Sequence, residues 1–136
     1  MLLQCRVLQK IFMMQLKERR FCYMKNKDII VLKKILEYCE QAEEAMQMFN
    51  NNYDEFVEKS VFRNACCMCI LQIGELCKLI SDDLREKETS IPWKAWCGIR
   101  DVFAHQYSNL DLQSAWGTLQ EDLPQLKNSV EIIIKD

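Results

Sequence analysis

A chain of 136 residues with 49% hydrophobic content and a formal net charge of −2 is sized for one domain around a single core. Its charge excludes the basic body expected of a protein that grips long duplex nucleic acid. With only 3 glycines and 2 prolines, it has too few turn formers to punctuate a sandwich or barrel, so an all-α chain of long helices is expected.

Residues 1–23 carry Arg6, Lys10, Lys17, Arg19 and Arg20 against Glu18, while the rest of the chain is acidic. They read as an N-terminal extension outside the fold: either an adventitious tail from an upstream start codon, or an amphipathic helix for a membrane surface or a partner. The domain proper is expected over residues 24–136, because Met24-Lys25-Asn26-Lys27-Asp28 reads as a natural start, with Asp28 as a helix cap. Arg6 and Lys10 interrupt the early apolar residues and no small-residue cleavage site follows, which argues against a secretory signal. No apolar run approaches the roughly 18 residues of a membrane span. The 8 cysteines are therefore expected as free thiols in a reducing cytoplasm, not as a disulfide framework.

From Leu32 the apolar positions Leu32, Ile35, Cys39, Ala42, Met46 and Phe49 alternate steps of three and four, the stripe of a bundle helix. Asn50-Asn51-Asn52 ends it, and Tyr53 to Glu58 is expected as a linker. Phe62, Cys66, Cys69, Ile70, Ile73, Cys77 and Ile80 repeat the period in a second helix. The stretch from Ser81 to Glu88 is expected to end it in solvent. Pro92 suits the first turn of a third helix reaching about Ala104. Asp111 is placed to cap a last helical region from Leu112 to Ile133, which Pro124 should split or bend. These elements predict an up-and-down bundle.

Cys66 and Cys69 form a C-x-x-C, but no second pair follows and His105 is the only histidine, so zinc lacks a ligand set. Both thiols lie on the apolar stripe, where cysteine acts as a small hydrophobe. The chemistry concentrates elsewhere. Arg100, Asp101, His105 and Tyr107 put cation, carboxylate, imidazole and phenol within eight residues. On a regular helix Arg100 and His105 stand about 140° apart, whereas Arg100 and Tyr107 nearly share a face. Bringing Arg100 and His105 together requires the helix to loosen near Ala104, or a second copy to supply the other half. Glu75 is a further polar residue on an apolar helix, fit for the cleft or for a structural ion pair. Trp93, Trp96 and Trp116 read as core or dimer anchors before base-stacking platforms.

Arg100-x4-His105-x-Tyr107 resembles the signature of HepT-like members of the HEPN superfamily. The likeness extends over Phe62-Arg63-Asn64-Ala65, Gln72-Ile73-Gly74-Glu75, Ile91-Pro92-Trp93, Gly98-Ile99-Arg100 and Asp122-Leu123-Pro124-Gln125-Leu126, covering roughly Met24 to Ile134. It implies a HEPN-type helical bundle, homodimeric, with two motifs facing across a cleft and cleaving RNA as a toxin without metal or other cofactor. His105 would be the general acid or base and Arg100 the phosphate and transition-state stabiliser. The partner implied is an MntA-like minimal nucleotidyltransferase antitoxin that adds AMP to Tyr107. Asp101 stands where asparagine is common in that family, so its carboxylate either orients Arg100 or His105 or repels RNA. The alternative is a non-catalytic HEPN module that binds a nucleotide or a nucleotidyltransferase; a thiol or metal sensor would need exposed, low-pKa cysteines.

Overall fold

The computed structural model describes residues 6–14 and 27–135, and every regular element among them is helical. The order is α1 (residues 6–14), α2 (Lys27–Met48), α3 (Tyr53–Glu58), α4 (Ser60–Lys78), α5 (Asp82–Lys87), α6 (Trp93–Gln106), α7 (Leu112–Gly117) and α8 (Leu123–Lys135). A 3-10 turn at Tyr107–Asn109 follows α6, and a π-helical turn at Thr118–Asp122 joins α7 to α8. In α1, Val7, Leu8, Ile11, Phe12, Met13 and Met14 are all exposed. The expected boundary at Met24 lies outside the described residues.

The two stripes read from the sequence form the core. Leu32, Ile35, Cys39, Ala42 and Met46 of α2 are buried, as are Phe62, Cys66, Cys69, Ile70, Ile73 and Cys77 of α4, together with Ile80 just beyond it. Their partners are Leu119 in the π turn and Leu123, Leu126 and Val130 of α8. Thus α2 packs against α4 and α8, and α4 carries α6 on its other flank. Burying a Leu, Ile or Phe contributes about 1.5–3 kcal/mol, against about 0–1 kcal/mol for a surface ion pair. The bundle therefore rests on these stripes and leaves the polar residues free for other work.

Three expectations about the connections are corrected. The expected linker at Tyr53 to Glu58 is α3: the Asn52 side chain accepts the Glu55 amide at 3.1 Å, and Phe56 is completely buried. The stretch after Ser81 does not end in solvent but forms α5, with Ser81 as its cap and Leu84 buried. In both cases one large apolar residue among charges folds a single turn onto the core, a signal too short for helical periodicity. Asp28 is buried within the first turn of α2, and its carboxylate accepts the Ser81 amide at 3.0 Å and the Ser81 hydroxyl at 2.5 Å. It thereby pins the α4–α5 corner across 53 residues.

Asn50 and Asn51 adopt left-handed backbone conformations, φ 57° and 49°, the geometry asparagine tolerates at a helix end. Asn51 and Gln120 then exchange amide hydrogen bonds of 3.0 and 2.8 Å, tying that corner to the π turn. The turn ends two residues before Pro124, where the missing proline N–H would interrupt a regular ladder.

Gly74, inside α4, sets the distance to α6. A Cβ there would collide with the Arg100 Cβ and lie 2.8 Å from the Trp96 carbonyl oxygen and 3.3 Å from the Arg100 Cα. Two of those three atoms are backbone, so the helices themselves would have to part. Gly74→Ala is accordingly expected to destabilise the fold by about 1–3 kcal/mol, outweighing the roughly 1 kcal/mol that alanine adds to helix propensity. Urea denaturation reads the difference, and a more stable variant would show that the close approach does not constrain the packing.

Candidate active site on helices α4 and α6

The pair α4 and α6 runs antiparallel, with Gly74 against Arg100 and Asn64 against Tyr107. Because Gly74 has no side chain, the Arg100 stem lies directly on α4. Glu75 then meets the guanidinium: Arg100 Nε pairs with Glu75 Oε1. Both atoms are shielded from water, and neither has a hydrogen-bond partner elsewhere among the described residues. Arg100 Nη1 donates to Asp101 Oδ1 at 3.1 Å, and Lys78 Nζ donates to the same oxygen at 2.9 Å. Lys78 also lies 3.8 Å from Glu75 Oε1. The Lys78 ammonium beside Asp101, with Arg100 adding to it, holds the Asp101 carboxyl below the usual carboxylate range.

His105 is exposed on the last turn of α6. The helix does not loosen near Ala104 as one of the two expected routes required, since α6 is continuous to Gln106 and the 3-10 turn begins only at Tyr107. Its anchors explain why: Trp93, Trp96 and Phe103 are buried, and the Trp93 indole donates to the Glu88 carbonyl at 3.0 Å. Arg100 and His105 therefore stay about 140° apart around one regular helix.

Tyr107 turns back to α4, where its hydroxyl donates to Asn64 Oδ1, leaving the residue 42% exposed. Burial of the ring raises its pKa above the ordinary phenol value; Cys67 adds to the shift and Arg63 opposes it, so the phenol keeps its proton at neutral pH. Arg63 is itself held by the end of α3, donating to the Val57 carbonyl at 2.6 Å. Asn64, Arg63 and Lys78 were not identified from the sequence as site residues. Lys78 was traceable in principle, falling one helical turn after Glu75.

The other candidates join the core. Trp93 and Trp96 are buried, and Trp116 sits edge-on to Phe62 within a cluster that includes Tyr53 and Phe56. Cys66 and Cys69 are buried, and desolvation pushes their thiols up to about 12 and about 11. Such thiols remain protonated and unreactive at neutral pH. Among the described residues no three His, Cys, Asp or Glu side chains are grouped to hold a metal ion, and no helix is long and apolar enough to cross a membrane.

A family model described as ribonuclease HepT-like matches residues 35–133, spanning α4, α6 and the whole of this site. The chain belongs to this family. A protein of Methanocaldococcus jannaschii named as a candidate RNase is 39% identical over 87 residues, covering 64% of this chain and 72% of its own. A candidate RNase of Caldanaerobacter subterraneus is 30% identical over 104 residues, covering 76% of this chain and 91% of its own. A candidate ribonuclease HepT of Thermococcus cleftensis is 29% identical over 108 residues, covering 73% of this chain and 94% of its own. No solved structure matches significantly. In this HepT-like ribonuclease the matched span holds Arg100 fixed by α4 and leaves His105 accessible.

Proposed function

We propose that this ribonuclease cleaves RNA without a metal ion, in a cleft between two copies of the chain, as the toxin of a cytoplasmic toxin–antitoxin pair. The observation that carries the reading is Arg100, locked by Glu75 and Asp101 on the helix that leaves the chain's single histidine exposed. Two of the three guanidinium nitrogens are engaged by carboxylates, which fixes the orientation of the group while Nη2 remains for a phosphate oxygen. The His105 imidazole can take the proton of a ribose 2′-hydroxyl or give one to the leaving 5′-oxygen. The 2′-oxygen attacks the adjacent phosphorus, the bond to the 5′-oxygen breaks, and Arg100 stabilises the negative charge that accumulates between them. Because the two groups diverge on a regular helix, the complete constellation takes Arg100 from one copy and His105 from the other. Glu75 and Asp101 act here as positioning residues.

The same reading makes Tyr107 the point of control. An MntA-like nucleotidyltransferase antitoxin transfers AMP to the phenol: the oxygen attacks the α-phosphorus of ATP, pyrophosphate leaves, and the phenolic proton passes to a base. The added phosphodiester brings bulk and negative charge to the face that Tyr107 shares with Arg100. In the domain assignment that follows, residues 24–136 form the ribonuclease and residues 1–23 are an extension.

The test is cleavage of single-stranded RNA by the purified chain with EDTA present, beside His105→Ala. Cleavage that survives EDTA and disappears in the variant is expected. Loss of activity with EDTA, restored by a divalent ion, would overturn the metal-free chemistry. Equal activity of the variant would remove His105 from the reaction.

A further inference from the structure

Among the described residues, Lys78 is the one cation besides Arg100 itself in contact with both carboxylates that hold Arg100. We propose that Lys78 is a positioning residue that balances Asp101, so that the carboxylates fixing Arg100 do not repel the RNA phosphate. This rests on the reading that Arg100 receives that phosphate.

Glu75 and Lys78 lie three residues apart on α4, and Arg100 and Asp101 are neighbours on α6, so the helix contact brings two anions and two cations into one group. Arg100 is bound through Nε to Glu75 and through Nη1 to Asp101. Those bonds aim the guanidinium, but two negative charges on one positive charge would leave the patch anionic. A phosphodiester approaching it would meet net repulsion. The Lys78 ammonium, 2.9 Å from Asp101 and 3.8 Å from Glu75, returns the group to neutrality. Asp101 stays ionised under this influence, so its charge requires compensation wherever the enzyme works. The side chain of Lys78 is 37% exposed, which places it at the rim of the group and leaves its replacement little consequence for the core.

The experiment compares the full-length wild type with Lys78→Met, Asp101→Asn, the double variant, Lys78→Arg and Arg100→Ala, using a fluorophore-labelled, mixed-sequence single-stranded oligoribonucleotide at fixed ionic strength. Lys78→Met is expected to raise KM about five- to tenfold, the scale of one uncompensated charge, with kcat within about twofold. Asp101→Asn keeps an acceptor for Arg100 and loses the charge, so KM falls. The double variant returns to near the wild-type KM, Lys78→Arg keeps it, and the Lys78→Met defect shrinks as salt is raised. The same order of Kd values, read by fluorescence anisotropy in a His105→Ala background, makes the charge argument independent of turnover. An unchanged KM and Kd in Lys78→Met, a double variant no better than the single one, or a defect confined to kcat would each overturn the proposal. An active Arg100→Ala would instead overturn the catalytic reading, whereas an inactive Arg100→Ala beside an unaffected Lys78→Met would remove only Lys78.

Discussion

Mixing inactive Arg100→Ala protein with inactive His105→Ala protein is expected to restore RNA cleavage to about a quarter of the wild-type rate. Each variant alone should lose about two to four orders of magnitude, the range for removing an acid–base group or a preorganised charge donor. Neither loss should reduce helicity, since Arg100 is only partly buried and His105 is exposed. The rescue follows from α6. The helix is regular from Trp93 to Gln106, so the two groups sit about 140° apart and about 7.5 Å apart along the axis. Arg100 lies against α4, whereas His105 is exposed. In the proposed homodimer a twofold partner would present its own His105 to this Arg100, and each homodimer would then have two mixed clefts. Random exchange makes half of the dimers heterodimers, and each of these holds one cleft with both groups intact. A mixture that exchanges subunits yet stays inactive would place both groups on the same chain. A protein that is strictly monomeric at micromolar concentration would remove the shared cleft altogether.

The bundle was legible because its information is periodic. Steps of three and four at Leu32 to Met46 and at Phe62 to Ile80 give the burial seen in α2 and α4, and the few turn formers exclude the alternatives. The short helices α3 and α5 were not legible. Each is six residues long, less than two turns, and one buried residue decides it, Phe56 in one and Leu84 in the other. Asn52 and Ser81 were present as capping signals, but without a following stripe a cap looks like any polar loop residue. Asp28 was read as a local cap because its distant partner, Ser81, has no sequence signature.

The site divides in the same way. Arg100, His105 and Tyr107 crowd into eight residues and could be found by composition alone. Glu75 could be flagged as polar on an apolar helix, but its pairing with Arg100 depends on Gly74 admitting α6 to close range. Lys78 and Asn64 act across helices over 23 and 43 residues, distances that no motif spacing encodes. Of the two routes expected to bring Arg100 and His105 together, a helix loosened near Ala104 is not seen, because the buried Trp96 and Phe103 anchor α6, which stays regular past Ala104.

Tyr107→Phe is expected to keep substantial RNase activity and yet escape a nucleotidyltransferase partner supplied with ATP and magnesium. The variant removes the hydroxyl that donates to Asn64. Asn64 is exposed, so water takes over as its partner, and the net loss of one such bond is about 0.5–1.5 kcal/mol, too little to unfold a stable bundle. The ring stays in place against α4. The phenol is not needed as a base: burial raises its pKa above the ordinary value, which is already about 10. What the variant lacks is the only oxygen at this position able to take AMP. Tyr107 is 42% exposed in the wild type, and modification necessarily removes the hydrogen now donated to Asn64. Intact-mass and peptide analysis should therefore show added AMP on the wild type, within the peptide containing Tyr107, and none on the variant. RNA cleavage should stop in the first and continue in the second. A Tyr107→Phe protein that is inert before any partner is added would instead make the phenol part of the cleavage site. A variant that the partner still silences completely would show that inhibition works by binding, and the modification at Tyr107 would fall.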